Sequence, residues 1–352
     1  MNSAGMALPA ASRRAGHRVV LGSLCVTLLI VATFAMTCGA MHLSAEDVFG
    51  ALLRRMGGKP AQADDAIVLT LRLPRVLMAA LVGAALACSG AVMQGMFRNP
   101  LVEPGLIGVS SGSALGAIGV IVLGGGFGAG LLGSFGVTIA AFAGGLLTTA
   151  LVYAIGRRRP DAATLLLAGV AINAISMAGI GVLTYMASER QLRDLSLWTL
   201  GSLGGTDWIR LVAVAPWILL SLLWLPIHAR ALNALLLGER EASLLGYHTE
   251  RLQRLLIALT ALATSAAVAT CGVISFVGLL VPHAIRMMWG PDHRLLLPAS
   301  ALGGAILLIG ADTVARTVVA PAELPIGIIT ALLGGPFFLW LLMRTRTSGV
   351  RA

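Results

Sequence analysis

Few residues in this chain have types and spacings suited to chemistry, and most of the patterns they form exclude a function. A phosphate-binding P-loop needs G-x-x-x-x-G-K-[ST], with a lysine that reaches the phosphates. The single lysine, Lys59 in MGGKPA, has Leu53 where the first glycine belongs and Pro60 where the hydroxyl belongs, so the chain is no P-loop ATPase. GAGLLG (128–133) matches G-x-G-x-x-G by letter. It follows no strand, and no acidic residue stands about 20 residues on, so it reads as a glycine-rich turn. There is no H-E-x-x-H, and of the six histidines only His283 and His293 lie close together in sequence; no metal site is expected. Ion-coupled carriers keep carboxylates or histidines in mid-membrane. Here Glu103 and Glu323 fall in loops, Asp312 near the end of an apolar run and His283 inside one. Asn173, the most central polar residue of its run, reads as an interhelical hydrogen-bonding group. No proton relay emerges, so uphill movement of a solute would draw its energy from another chain.

The elements that position these residues are helices in lipid. The 352 residues are 57% hydrophobic and 11% charged, against about a quarter charged in a soluble domain. The class is therefore an all-α integral membrane protein with one compact domain; the alternating segments of a membrane barrel are absent. Apolar runs place ten spans at roughly 19–41, 76–97, 106–123, 131–155, 164–187, 208–227, 255–271, 273–290, 295–315 and 325–343. The seventh and eighth share one uncharged stretch between Arg254 and Arg286 and require a turn at Cys271–Gly272. Residues 1–18 and 344–352 read as cytoplasmic tails around a single transmembrane domain over 19–343. With ten spans and the N-terminus inside, 16 basic residues face the cytoplasm and 9 face out, in keeping with the positive-inside tendency. The formal net charge of +10 is thereby explained by membrane orientation, without nucleic acid. Cys25, Cys38, Cys88 and Cys271 lie in apolar runs and read as packing residues. Gly112-x-x-x-Gly116 and the small residues around Gly83, Ala87 and Gly90 suit close helix contact. ACSGAV at 87 and ATCGVI at 269 hint at an inverted repeat of spans 2–5 and 7–10.

One cytoplasmic segment does not fit a passive loop. ALLLGEREASLLGYHTERL (234–252) lies between two apolar runs and is bounded by Gly238 and Gly246. Leu235, Leu236, Leu244 and Leu245 form a greasy side, and Glu239, Arg240 and Glu241 a polar one. A helix lying on headgroups is usually rich in Lys and Arg; this one is charge-balanced, which suits a compact knob entering the cleft of a partner.

Three long stretches carry a family resemblance. RLPRVLMAALVGAALACSGAVMQGMFRNPLVEPGLIGVSSGSALGA (72–117), GVISFVGLLVPHAIRMMWGPDHRLLLPASALGGAILLIGADTVAR (272–316) and AELPIGIITALLGGPFFLWLLMR (322–344) resemble the iron-chelate and cobalamin importer permeases of the ABC class. The resemblance covers nearly the whole chain from about residue 19. It implies a bacterial inner-membrane permease with ten spans per subunit. A second copy would complete a homodimer around one central path, with two cytosolic ATP-binding subunits holding ATP-Mg and a periplasmic substrate-binding protein. No cofactor is implied on this chain, and no enzyme activity. Residues 238–246 become the coupling helix, with Gly238, Glu239, Arg240, Glu241, Leu244, Leu245 and Gly246. Arg72, Arg75 and Arg316 match arginines that pair with acidic residues of the binding protein, since a planar fork takes a carboxylate bidentately; alternatively Arg72 and Arg75 anchor a helix end at the headgroups. RNPL (98–101) falls at the inner mouth, with Asn99 and Leu101 as gate candidates or Asn99 as a helix-end cap. The outer gate would use the segment near Trp198. For cargo, LWTLGSLGGTDW (197–208) looks most like haem importers, with ferric siderophore and cobalamin as the alternatives.

Overall fold

The computed structural model describes residues 10–39, 41, 43–58, 63–131, 135–157 and 162–348. Lys59, Arg158, Arg159, the end of the glycine-rich 128–133 turn and the last four residues lie outside the described residues.

Apolar length dictates the architecture. Helix α1 (Ala10–Thr37) starts within the segment read as a tail. After the outer surface helix α2 (Ala45–Met56), α3 (Ala63–Ala66) runs through a π-helical turn, Ile67–Arg72, into α4 (Leu73–Met96). The whole rod, Asp64–Met96, has 33 residues and is about 50 Å long at 1.5 Å per residue. Helices α5 (Val109–Leu131), α6 (Gly136–Gly156) and α7 (Ala162–Met186) follow. The amphipathic α8 (Glu189–Leu200) opens on a Ser188–Gln191 capping box. Next, α9 (Trp208–Trp224) passes through a 3-10 turn into α10 (Ala229–Leu237). The last elements are α11 (Glu239–Leu244), α12 (Thr249–Cys271), α13 (Val277–Trp289), α14 (His293–Ala315) and α15 (Ile326–Ser348). Among the described residues seven helical runs are long and apolar enough to cross a membrane, and parts of α5 and α15 form shorter apolar helices.

The helix ends alternate between two faces as the charge count requires. His17 near the start of α1 lies close to Asp292 at the start of α14. At the other face the carbonyls of Ala35 and Met36, near the end of α1, meet Arg316 and Arg72. Helix α4 is the axis: 78% of its apolar window is buried inside the chain, against 11% for α1. Its small residues allow this. A Cβ on Gly83 would come 2.2 Å from the Gly304 carbonyl oxygen, and one on Gly90 1.8 Å from that of Gly278. Lipid tails are as apolar as leucine, so such backbone-to-backbone approach supplies the packing energy that water would supply elsewhere. Gly112 and Gly116 meet α6 at Gly144 and Ala140 in the same way.

The eighth span departs from its expected form. Helix α12 ends at Cys271, where Gly272 adopts φ +72°, as the Cys271–Gly272 turn requires. The chain then runs without helix from 272 to 276 before the 13 residues of α13. That helix spans only about 20 Å, so the unwound stretch completes the crossing. The two similar hexapeptides occupy different places in their helices. Ala87–Val92 lies in the middle of α4, whereas residues 269–274 straddle the end of α12.

Candidate functional site

A cavity of about 460 Å3 opens beside the unwound stretch. Irregular backbone at membrane depth is tolerated where it lines a cavity or is buried in protein, and Val273, Ile274 and Ser275 do line it. The opposite walls are the Pro104–Ile107 turn, α5 and α7. Asn173 joins two of these walls: its Oδ1 accepts from Ser111 Oγ at 2.5 Å, and its Nδ2 donates to the Gly105 carbonyl at 3.2 Å. It is the interhelical group its sequence position suggests. The polar lining is otherwise hydroxyls, such as Thr199 and Thr264, and the carboxylate of Glu103. Among the described residues no three His, Cys, Asp or Glu side chains converge to hold a metal.

The turn after α4 is the segment expected at the inner mouth. Arg98 adopts φ +50°, and Asn99 Oδ1 accepts the Leu101 N–H at 3.0 Å. Asn99 and Leu101 are both exposed. At the outer side Trp198 closes α8, half-buried against Ala117, Ala141 and Ala269. Its carbonyl sits so close to Gly272 that a Cβ there would stand 2.1 Å from it. Ser202 N–H donates to the Cys271 carbonyl at 2.8 Å, and Ile326 N–H to Gly201 at 3.0 Å. The end of α8, the break after α12 and the start of α15 therefore meet at one backbone junction.

In the segment expected on the cytoplasmic face, Gly238, at φ +134°, splits residues 234–252 into α10 and α11. Leu235 and Ala242 are buried and fix the unit to the bundle. Glu239 is tied to Gln253 of α12 at 2.9 Å. Gly246, at φ +90°, ends the knob. Leu244 is 88% exposed and Leu245 61%, so two large apolar side chains project from the tip with nothing of this chain over them.

The three outer arginines lie elsewhere than on a free surface. Arg72 is buried and donates to the Met36 and Met41 carbonyls. Arg75 grips Asp312 with Nε and Nη2 at 2.8–3.0 Å, and Glu323 with Nη1 and Nη2 at 2.8–3.0 Å. Arg316, also buried, donates to the Ala35 carbonyl and stands 3.6 Å from Asp312. The Arg75 guanidinium holds the Glu323 carboxyl below the usual carboxylate range. Their partners are carbonyls and carboxylates of this chain, which leaves no row of open forks. The arginines exposed on the outer side are Arg55, Arg190 and Arg193.

The model of the FecCD transport family matches residues 27–344. The chain belongs to the FecCD transport family. Its similarity to the hemin transport system permease protein HmuU of Yersinia pestis is 46% identity over 337 residues, 95% of this chain and 98% of that protein. A cobalamin import system permease, BtuC of Halobacterium salinarum, is 46% identical over 84% of this chain and 77% of its own length. A solved inward-facing metal-chelate type ABC transporter superposes with a TM-score of 0.81 at 34% identity, over 93% of this chain and 99% of that one. The expected family and the all-α membrane fold are thus established. What the FecCD motifs did not disclose are the partners of the arginines. Asp312 and Glu323 stand 237 and 248 residues from Arg75, and no local pattern pairs them.

Proposed function

We propose that this chain is the transmembrane permease subunit of an ATP-driven importer in the inner membrane, working as a homodimer around a central path. It moves haem, or another iron chelate, inward by alternating access. The observation that carries the reading is the α11 knob. Its tip presents Leu244 and Leu245 to the cytoplasm, where a separate ATP-binding subunit would enclose them. Closure of two such subunits on ATP pulls the two knobs together and rocks the membrane helices. The cavity between the unwound 272–276 stretch, α5 and α7 is the part of the path this subunit contributes. Asn99 and Leu101 lie at its inner mouth and Trp198 at its outer end, which suits gate roles for both regions.

A periplasmic binding protein delivers the cargo to the outer mouth. Arg55, Arg190 and Arg193 attract it there at long range. Arg72, Arg75 and Arg316 contribute by exchange: an incoming carboxylate displaces half-exposed Glu323 from Arg75. Haem is favoured over cobalamin because the hemin permease relative matches over a larger share of both chains. The test is reconstitution in vesicles with an ATP-binding subunit and a periplasmic binding protein, supplied with haem, a ferric siderophore or cobalamin. ATP-dependent accumulation of haem is expected. Accumulation by the permease alone, driven by an ion gradient, would overturn the reading.

A further inference from the structure

Helix α10 leads straight into the knob, and a polar side chain on it is bonded to a helix of the core. Asn233 Nδ2 donates to Asp292 Oδ1 at 2.7 Å. Its Oδ1 accepts the backbone N–H of His293 at 2.9 Å and lies 2.8 Å from the ring Nδ1. A carboxylate only accepts and a backbone N–H only donates, so the amide can face one way. Its Oδ1 then requires the proton of the His293 ring on Nδ1. Asp292 is at the same time the N-cap of α14, accepting the Arg294 N–H at 3.0 Å. Asn233 therefore holds α10 to the first turn of α14.

His293 carries the contact inward. It is fully buried, and with Nδ1 turned to Asn233 its Nε2 edge meets the last turn of α4. A Cβ on Gly95 would stand 2.3 Å from Nε2, so the ring fits as placed only because residue 95 is glycine. The same turn of α4 holds the Asn99 segment. Arg98 N–H donates to the Gly95 carbonyl at 3.3 Å, and Asn99 N–H to the Gln94 carbonyl at 3.1 Å. On the knob side of Asn233, Leu235 is buried in the bundle, and the Ala242 N–H of α11 donates to the Gly238 carbonyl at 3.0 Å. Listed from tip to turn, the contacts form one series: α11, α10, Asn233, the His293 ring, Gly95.

We propose that Asn233 is a positioning residue that ties the knob to the Asn99 turn: its amide locks the His293 ring between α10 and the end of α4, so that displacement of the knob moves residues 99–101. Close-packed side chains joined by hydrogen bonds pass a displacement on because they have little room to yield. The bonded link stands on geometry alone. That a separate ATP-binding subunit pulls on it rests on the importer reading.

Amide hydrogen exchange on the purified full chain in lipid nanodiscs reads the link directly. Asn233→Ala is expected to speed exchange about tenfold both in the first turns of α14 and over residues 94–101, the factor that one lost charged hydrogen bond implies, while α6 exchanges as before. Faster exchange in α14 alone would end the link at His293 and overturn the proposal, as would unchanged exchange or a uniform rise over all helices. If Asn233→Ala fails to fold, Asn233→Ser, whose hydroxyl is one atom short of both partners, is read by the same criterion. The second arm is uptake per ATP hydrolysed in vesicles carrying the whole complex. Asn233→Ala is expected to lower it about tenfold with hydrolysis within about twofold. His293→Ala, which removes the ring and leaves the backbone bond, should do the same. Two lesions in one link do not add, so the double variant should fall no further than either single one. Hydrolysis lost in parallel with uptake, or defects that multiply in the double variant, would mean a structural role only and overturn the proposal. Parent protein that shows no ATP-driven uptake would sink the importer reading and leave the exchange result standing.

Discussion

The outer charged cluster and the cytoplasmic knob contrast sharply, although sequence reasoning gives both the same job of meeting a partner. In the charged cluster, Arg75, Asp312 and Glu323 are brought together from three separate motifs of the chain, and the side chains of Arg75 and Asp312 are only 13% and 3% exposed. At the inner face, Leu244 and Leu245 come from one short segment and are largely bare. A charge at a membrane helix end demands a partner wherever it is buried, so the fold itself satisfies it. A leucine on a small knob has no such demand and stays available. Unsatisfied surface, more than residue type, marks where another protein is needed.

The contrast breaks first at Arg75. Arg75→Met strips buried Asp312 of its closest cation and leaves it only Arg316 at 3.6 Å, which costs up to about 3–5 kcal/mol. The expected outcome is loss of folded protein in detergent, read by size-exclusion chromatography and thermal melting. A variant that melts like the parent and loses only binding-protein affinity would show that the cluster is a docking surface after all. The knob should behave in the opposite way. Leu244→Asp with Leu245→Asp is expected to shift stability by no more than about 0.5 kcal/mol, as exposed substitutions do. In reconstituted complexes it should abolish binding-protein-stimulated ATP hydrolysis and uptake, and normal coupled turnover would remove the knob from the mechanism.

Those two outcomes also mark how far the sequence could be read. The knob was legible because two glycines and a charged patch interrupt otherwise apolar runs, and because its role depends on neighbours in sequence. Nine of the ten spans were legible from hydropathy for the same reason. The broken eighth span was visible only as a turn at Gly272: residues 273–280 are apolar but for Ser275, and apolarity records the environment of side chains, not the path of the backbone. The burial of Arg72, Arg75 and Arg316 was not legible, since their acceptors are distant carbonyls and carboxylates. Motif matching singled out these arginines and was silent on whether their forks are free.

Smaller effects sharpen the outer half of the comparison. Reversal of Arg190 and Arg193 to Glu should weaken binding-protein association several-fold at low salt and little at high salt, because exposed charges act through a screened field. Equal affinity at low salt would place docking on the buried cluster alone. The smallest effect is that of pH. Glu323 has its folded pKa below the ordinary glutamate value, so its contribution is complete above the unfolded pKa of about 4.3 and is lost as pH falls through the folded value. Glu323 is 42% exposed, which limits the term to about 0.5–1 kcal/mol. Melting temperature should therefore decline less steeply below pH 5 in Glu323→Gln than in the parent. Identical slopes would mean that Glu323 is not the carboxylate whose titration is felt.

The α4 rod carries one last consequence. It starts among the outer carboxylates and arginines and ends at the Asn99 turn, with no proline or unwound turn between Arg75 and Met96. A helix of that kind is stiff along its axis and cannot absorb a push at one end. A push on the charged cluster at its start would therefore travel to the Asn99 turn as the movement of one stiff body, with no relay of side chains between them.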